Sequence, residues 1–165
     1  FLANQRRRYG KELEPARLWA RTPKVFAGLS LLYGALDRKS SPIEASLRSL
    51  LTVRVSQINW CAFCVDINSA TGLKRGISDA QLAALPEFAT SPLFDERQKA
   101  ALAYAEAITR TDVGVDDALM ARVKACFDDN AVIELTALIA FQNMSSKFNA
   151  ALDVAPQGFC RLPQK

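Results

Sequence analysis

Apolar residues recur along the chain at three- and four-residue spacing, the pattern of a helix with one buried face. No stretch alternates apolar and polar residues over a useful length; Val53-Arg54-Val55 is too short and lies inside a helical stripe. Thr22-Pro23 supplies a cap and a first helical residue for a helix to about Leu36, apolar on several sides through Val25, Phe26, Leu29, Leu31, Leu32 and Tyr33. Ser41-Pro42 repeats that start signal, and Ile43, Leu47, Leu50, Leu51 and Ile58 form the stripe that follows. A third helix is expected from about Trp60-Cys61 to Arg75, with Gly76 as its stop. Ser78 to Gln81 is a capping box for a short helix ending before Pro86. Asp95–Thr109, Val115–Phe127 and about Asp129–Leu152 complete the set, with Gly114 as a breaker. The expected class is all-α, with about six to eight helices.

A chain of 165 residues fits a single domain, 1–165, with no repeat or linker. Residues 1–20 and 156–165 read as arms. No apolar run is long enough for a membrane span. Phe1–Tyr9 is polar and basic, unlike a secretory signal, and a cytoplasmic location is the expectation. The net charge is only +4, and the densest basic cluster, Arg6 to Arg8 with Lys11, is followed at once by Glu12 and Glu14. That is a solvated arm rather than a nucleic-acid footprint.

The absence of histidine has more force. It excludes Ser-His-Asp and Cys-His catalysis within the chain and every imidazole metal site. Attention falls on Cys61-Ala62-Phe63-Cys64. Cysteines three apart at a helix start share one face, and the free N–H groups and dipole there favour a thiolate. The pattern fits a redox dithiol, and it also fits two small buried apolar residues. Structural zinc would need two more ligands, for which only Cys126 and Cys160 remain. Cys126 reads as packing or interface; Cys160 lies in the tail, and a bridge from it to the body has no support in a chain expected to be cytosolic. No cofactor or metal is expected.

The stretch Leu47-Arg48-Ser49-Leu50-Leu51-Thr52-Val53-Arg54-Val55-Ser56-Gln57-Ile58-Asn59-Trp60-Cys61-Ala62-Phe63-Cys64-Val65-Asp66-Ile67-Asn68 resembles the core of the carboxymuconolactone decarboxylase / alkylhydroperoxidase D-like superfamily. Arg97 to Glu106 and Glu134-Leu135-Thr136 are similar too, and the resemblance spans about residues 43–154. It implies an alkylhydroperoxidase D-like helical bundle with the C-x-x-C at a helix N-terminus. It also implies a thiol peroxidase in which Cys64 attacks a hydroperoxide, Cys61 resolves, and an external thiol reduces the pair. The family pattern places a Glu and a His around the cysteines as a proton relay. The matching positions here are Ser49 and Asn68, neither of which is a base at neutral pH. Weak activity is therefore expected, with Ser49 and Asn68 in supporting roles. Cys64 is expected to face a small apolar pocket together with Asn68. Asp66 lies on the opposite side of its helix from Cys64. Asn143, Ser146 and Lys147 extend the buried face of the last helix as polar groups, which marks either a site edge or a solvated end; Asn143 and Lys147 are candidates on that basis. The resemblance further implies a homo-oligomer, a trimer or hexamer. Two other readings stand beside this one: a lactone decarboxylase acting on a small carboxylated ring, and a non-enzymatic member that keeps only the scaffold.

Overall fold

In the computed structural model, which describes residues 9–160, the local signals become helices close to where they were expected. The chain forms two compact units, residues up to Arg38 and residues from Lys39 onward. In the first, α1 (Glu14–Trp19) is followed across a short turn by α2 (Pro23–Leu36), with Pro23 opening α2. α2 leaves Val25, Leu31, Leu32 and Tyr33 exposed.

The second unit holds α3 (Ala45–Ile58), α4 (Ala62–Lys74), α5 (Asp79–Ala84), a 3-10 turn (Leu85–Glu87), α6 (Glu96–Thr109), α7 (Asp117–Cys126) and α8 (Asp129–Ala151). No strand occurs among the described residues. No described helix is long and apolar enough to cross a membrane. α3 is the central helix, packed against α4, α6 and α8. Leu47, Leu50, Leu51, Val53 and Val55 are buried around most of its circumference, so it lacks a solvent face over its middle turns. Leu102, Leu135 and Ile139 of α6 and α8 close the core against it.

Side-chain caps set several boundaries. Ser78 and Gln81 form the expected capping box of α5, and Asp95 with Gln98 forms a second at α6. The Oδ1 atoms of Asp116 and Asp128 accept from the amides of Leu119 and Ala131, each at 2.8 Å, to start α7 and α8. One start differs from expectation. α3 begins at Ala45 rather than at Pro42, because the Ser41 hydroxyl accepts from Ile43 N at 3.2 Å and donates to Glu134 Oε2 of α8 at 2.9 Å. Ser41 therefore makes a turn and a tie to α8 instead of a helix cap.

α3 and α4 lie antiparallel at close range, and Gly72 permits the approach. A Cβ there would meet Ile77 Cδ1 at 2.9 Å and Ser49 Cβ at 3.5 Å. The paired ends follow: Ser49 lies beside Gly72 and Arg75 near the end of α4, while Ser56 lies beside Asn68.

Candidate functional site

The cysteine pair occupies the corner where α3 ends and α4 begins. α3 closes in a Schellman arrangement, with Cys61 N bonded to Ser56 O at 3.0 Å and Trp60 N to Gln57 O at 3.2 Å. That geometry requires a left-handed residue at position 60, ordinarily glycine. Here it is Trp60 with φ 54°, and its side chain is almost wholly in solvent, at 90% exposure. A bulky residue in this region carries strain of about 1–2 kcal/mol. Trp60→Gly removes the strain and loses little packing, and glycine's extra unfolded-state freedom takes back part of the gain. The variant is expected to gain up to about 1 kcal/mol, seen as a higher urea midpoint. An unchanged or lower midpoint would show that the indole has stabilising contacts of its own.

The residue after Trp60 ends one helix and caps the next. Cys61 is the N-cap of α4, and its Sγ accepts from the Cys64 amide at 3.2 Å. Cys61 and Cys64 are joined as a disulfide, with Cα atoms 5.2 Å apart. Both are buried. Asn149 of α8 reaches the pair from the far side, its Nδ2 donating to Cys64 Sγ at 3.3 Å. Asn149 is 2% exposed, and its Oδ1 has no hydrogen-bond partner.

A neutral polar cluster lies alongside. Ser56 Oγ accepts from Asn68 Nδ2 at 3.3 Å and from Gln142 Nε2 at 2.9 Å, and donates to Thr52 O at 2.6 Å. Asn68 thus bonds to a serine on α3. Ser49 is 2% exposed and accepts from Arg75 NH1 at 3.3 Å. Among the expected supporting residues, Asn68 lies one turn beyond Cys64 and Ser49 lies toward the opposite end of α4. Asn143 accepts from Asn59 Nδ2 at 2.9 Å and donates to Thr109 Oγ1 at 3.0 Å; Ser146 also accepts from Asn59. These bonds tie the end of α3 to α6 and α8. Lys147 is exposed. Asn149, two residues further on, is the member of α8 that touches a sulfur, together with Gln142 behind it; neither was singled out in the sequence.

A cleft of about 590 Å³ opens beside the pair, between α4 and residues 156–160. Cys61 lines it and Cys64 does not, and Trp60 stands at its wall. The expectation of a pocket shared by Cys64 and Asn68 is thus corrected: the buried N-cap residue of α4 borders the cleft, and Cys64, one turn in, faces α8. Val65, Asp66 and Ser69 continue the cleft along α4. Asp66, on the other side of α4 as expected, is a buried carboxylate that accepts from Gln157 N at 2.8 Å and Cys160 N at 2.7 Å. Phe159 packs edge-on against Phe63, with centroids 6.5 Å apart. The tail is therefore anchored across the cleft. Among the described residues no group of three or more His, Cys, Asp or Glu is placed to hold a metal.

Comparison with known proteins bears on the family and the fold. The model of the carboxymuconolactone decarboxylase family matches residues 23–107. The uncharacterized protein YnjA of Escherichia coli K12 is 46% identical over 160 residues, covering 97% of this chain and 88% of YnjA. A protein of Agrobacterium tumefaciens, ATU0492, described as a putative antioxidant defence protein AhpD, superposes with a TM-score of 0.79 at 23% identity, over 90% of this chain and 97% of its own. The debrominase Bmp8 superposes with a TM-score of 0.84 at 21% identity, over 96% of this chain and 84% of its own. At those identities the two structures establish the shared fold.

Proposed function

The chain belongs to the carboxymuconolactone decarboxylase family, with the alkylhydroperoxidase D-like fold, and on that premise we propose that it is a thiol-dependent peroxidase working through Cys64 and Cys61. The observation that carries this reading is the pair itself: two cysteines at the N-terminus of α4, close enough to bridge, with Cys61 among the residues that line a cleft.

The chemistry runs in three steps. The Cys64 thiolate attacks one peroxide oxygen, the O–O bond breaks, and the alcohol leaves with a proton, so that Cys64 becomes a sulfenic acid. Cys61 then attacks the Cys64 sulfur, water leaves, and the disulfide forms. Finally an external thiol donor attacks Cys61 Sγ and Cys64 leaves as a thiolate; a second donor thiol releases Cys61. The peroxide gains two electrons and the donor thiols lose them. The disulfide state fits the third step. Cys61 is the member of the pair that lines the cleft, and the Asn149 amide donates to the sulfur that leaves.

Ser49 and Asn68 supply no general base, and the cluster around Ser56 is neutral. A positioned acid–base group is worth about a hundredfold to ten-thousandfold, so turnover should be slow beside a relay-bearing relative. The exposed apolar side chains of α2 suit contacts between copies in a trimer or hexamer.

The test is hydroperoxide consumption driven by dithiothreitol. The wild-type chain should turn over; Cys64→Ser should fall to the uncatalysed rate, and Cys61→Ser should stall after oxidation of Cys64. Wild-type consumption equal to that of Cys64→Ser would remove the peroxidase reading. The lactone decarboxylase reading gains no support from the site, since nothing in that reading uses the bridged pair.

A further inference from the structure

Cys160 is a third thiol on the same cleft. It lies opposite the disulfide pair rather than alone in a tail: Cys61 and Cys160 both line the cleft, on its two sides. Cys160 is free and half-buried. Its place is fixed by the two backbone amides bonded to the buried Asp66 carboxylate and by Phe159 on Phe63. Charge-assisted bonds of this kind are about twice as strong as neutral ones. A buried carboxylate is costly unless it is hydrogen-bonded, and the tail amides of Gln157 and Cys160 supply those bonds to this one.

We propose that Cys160 is an internal exchange thiol that carries the disulfide from the buried pair to the surface. The inference rests on the reading of Cys61 and Cys64 as a working redox pair. The Cys160 thiol gives its proton to water, and its thiolate attacks Cys61 Sγ. The Cys61–Cys64 bond breaks, a Cys61–Cys160 bond forms, and Cys64 departs as a thiolate that accepts from Asn149 Nδ2. No electrons are gained or lost in this step. A small dithiol reductant from solvent then attacks Cys160 Sγ, releasing Cys61, and its second thiol closes on the first to free Cys160. Cys61 is 1% exposed, so an outer sulfur gives the reductant a more accessible target. The direction is set by position: Cys61 and Cys160 both line the cleft, whereas Cys64 faces Asn149 of α8, so exchange with Cys160 runs through Cys61.

The experiment uses the full chain with Cys126→Ser, leaving three thiols. Cys64→Ser and Cys61→Ser are each added to that background, oxidised with diamide at low protein concentration, digested without reductant and mapped by mass spectrometry. In the Cys64→Ser chain, Cys61 and Cys160 should join within one molecule and both lose reactivity to alkylation. In the Cys61→Ser chain, Cys64 and Cys160 should stay separate. Cys61 and Cys160 both remaining alkylatable, bridging only between two molecules, or Cys64 joining Cys160 equally well would each overturn the proposal. A further variant, Cys160→Ser, keeps the backbone bonds to Asp66 and the native pair. Reduction of its Cys61–Cys64 bond by dithiothreitol should slow several-fold, and an unchanged rate would also overturn the proposal. If the bridge forms but no hydroperoxide is consumed, the peroxidase reading fails and the exchange stands; if hydroperoxide is consumed without the bridge, the reverse holds.

Discussion

Asn149→Leu is expected to slow the alkylation of reduced Cys64 at neutral pH by about 10–100-fold, while leaving thermal stability equal or higher. The two signs have separate causes. In the reduced protein the Nδ2–H that now points at Cys64 Sγ would donate to a thiolate. A hydrogen bond to a charged group contributes about 1.5–3 kcal/mol, which is the stated factor in rate at fixed pH. Asn149 Oδ1, in contrast, is buried without a partner. Leucine removes that unpaired carbonyl together with the amide and keeps the volume close, so the fold loses a desolvated acceptor and gains apolar contact. A purely structural role would lower the melting temperature and leave per-thiol reactivity alone. Peptide mapping after a timed pulse of iodoacetamide, with Cys126 and Cys160 as internal references, gives the rate at Cys64 itself. An unchanged rate would remove Asn149 from the site.

Asn149 also shows where sequence reading stops. Caps are local chemistry, so Ser78 with Gln81, Asp95 with Gln98 and the stop at Gly76 could be read from neighbours alone. The cysteine pair was legible for the same reason, since two residues three apart at a helix start share a face whatever the tertiary structure. Asn149 meets Cys64 across 85 residues of chain, and that contact depends on how α8 is rotated against α4. The polar turn of α8 at Asn143 and Ser146 was visible, yet which sulfur, serine or loop it would meet was not. Gln142, on the adjacent face, carried no signal for its bond to Ser56. Ser41 went astray through a local competition, because its hydroxyl could cap a helix or close a turn, and Glu134 on α8 favours the turn. Asp66 was placed on the correct side of α4, but its role depends on a tail that crosses the cleft. Trp60 offered no signal at all, since the left-handed position that ends α3 ordinarily takes glycine.

The second large effect is on stability. Arg54→Ala is expected to cost about 3 kcal/mol, the lower end for breaking a buried ion pair. Arg54 is 8% exposed in the middle of the central helix. Its Nε donates to Glu106 Oε1 at 2.6 Å, its NH2 reaches the same oxygen, and its NH1 donates to Gln57 Oε1 at 3.1 Å. The pair joins α3 to α6 at the edge of the core, where the half-buried Glu106 carboxylate left without its guanidinium is only partly hydrated. Arg110, 4.0 Å from the other Glu106 oxygen, is itself partly exposed and replaces only part of the lost attraction, which is why the lower end applies. The double variant Arg54→Met with Glu106→Leu removes both charges and fills the space, and should return most of the loss, because two desolvated charges and their attraction nearly cancel. Urea unfolding of the wild type, Arg54→Met, Glu106→Leu and the double variant closes the cycle and measures the coupling directly. A double variant as unstable as Arg54→Ala would mean that the guanidinium acts through Gln57 and packing rather than through Glu106, and the bond from α3 to α6 would then contribute little to the fold.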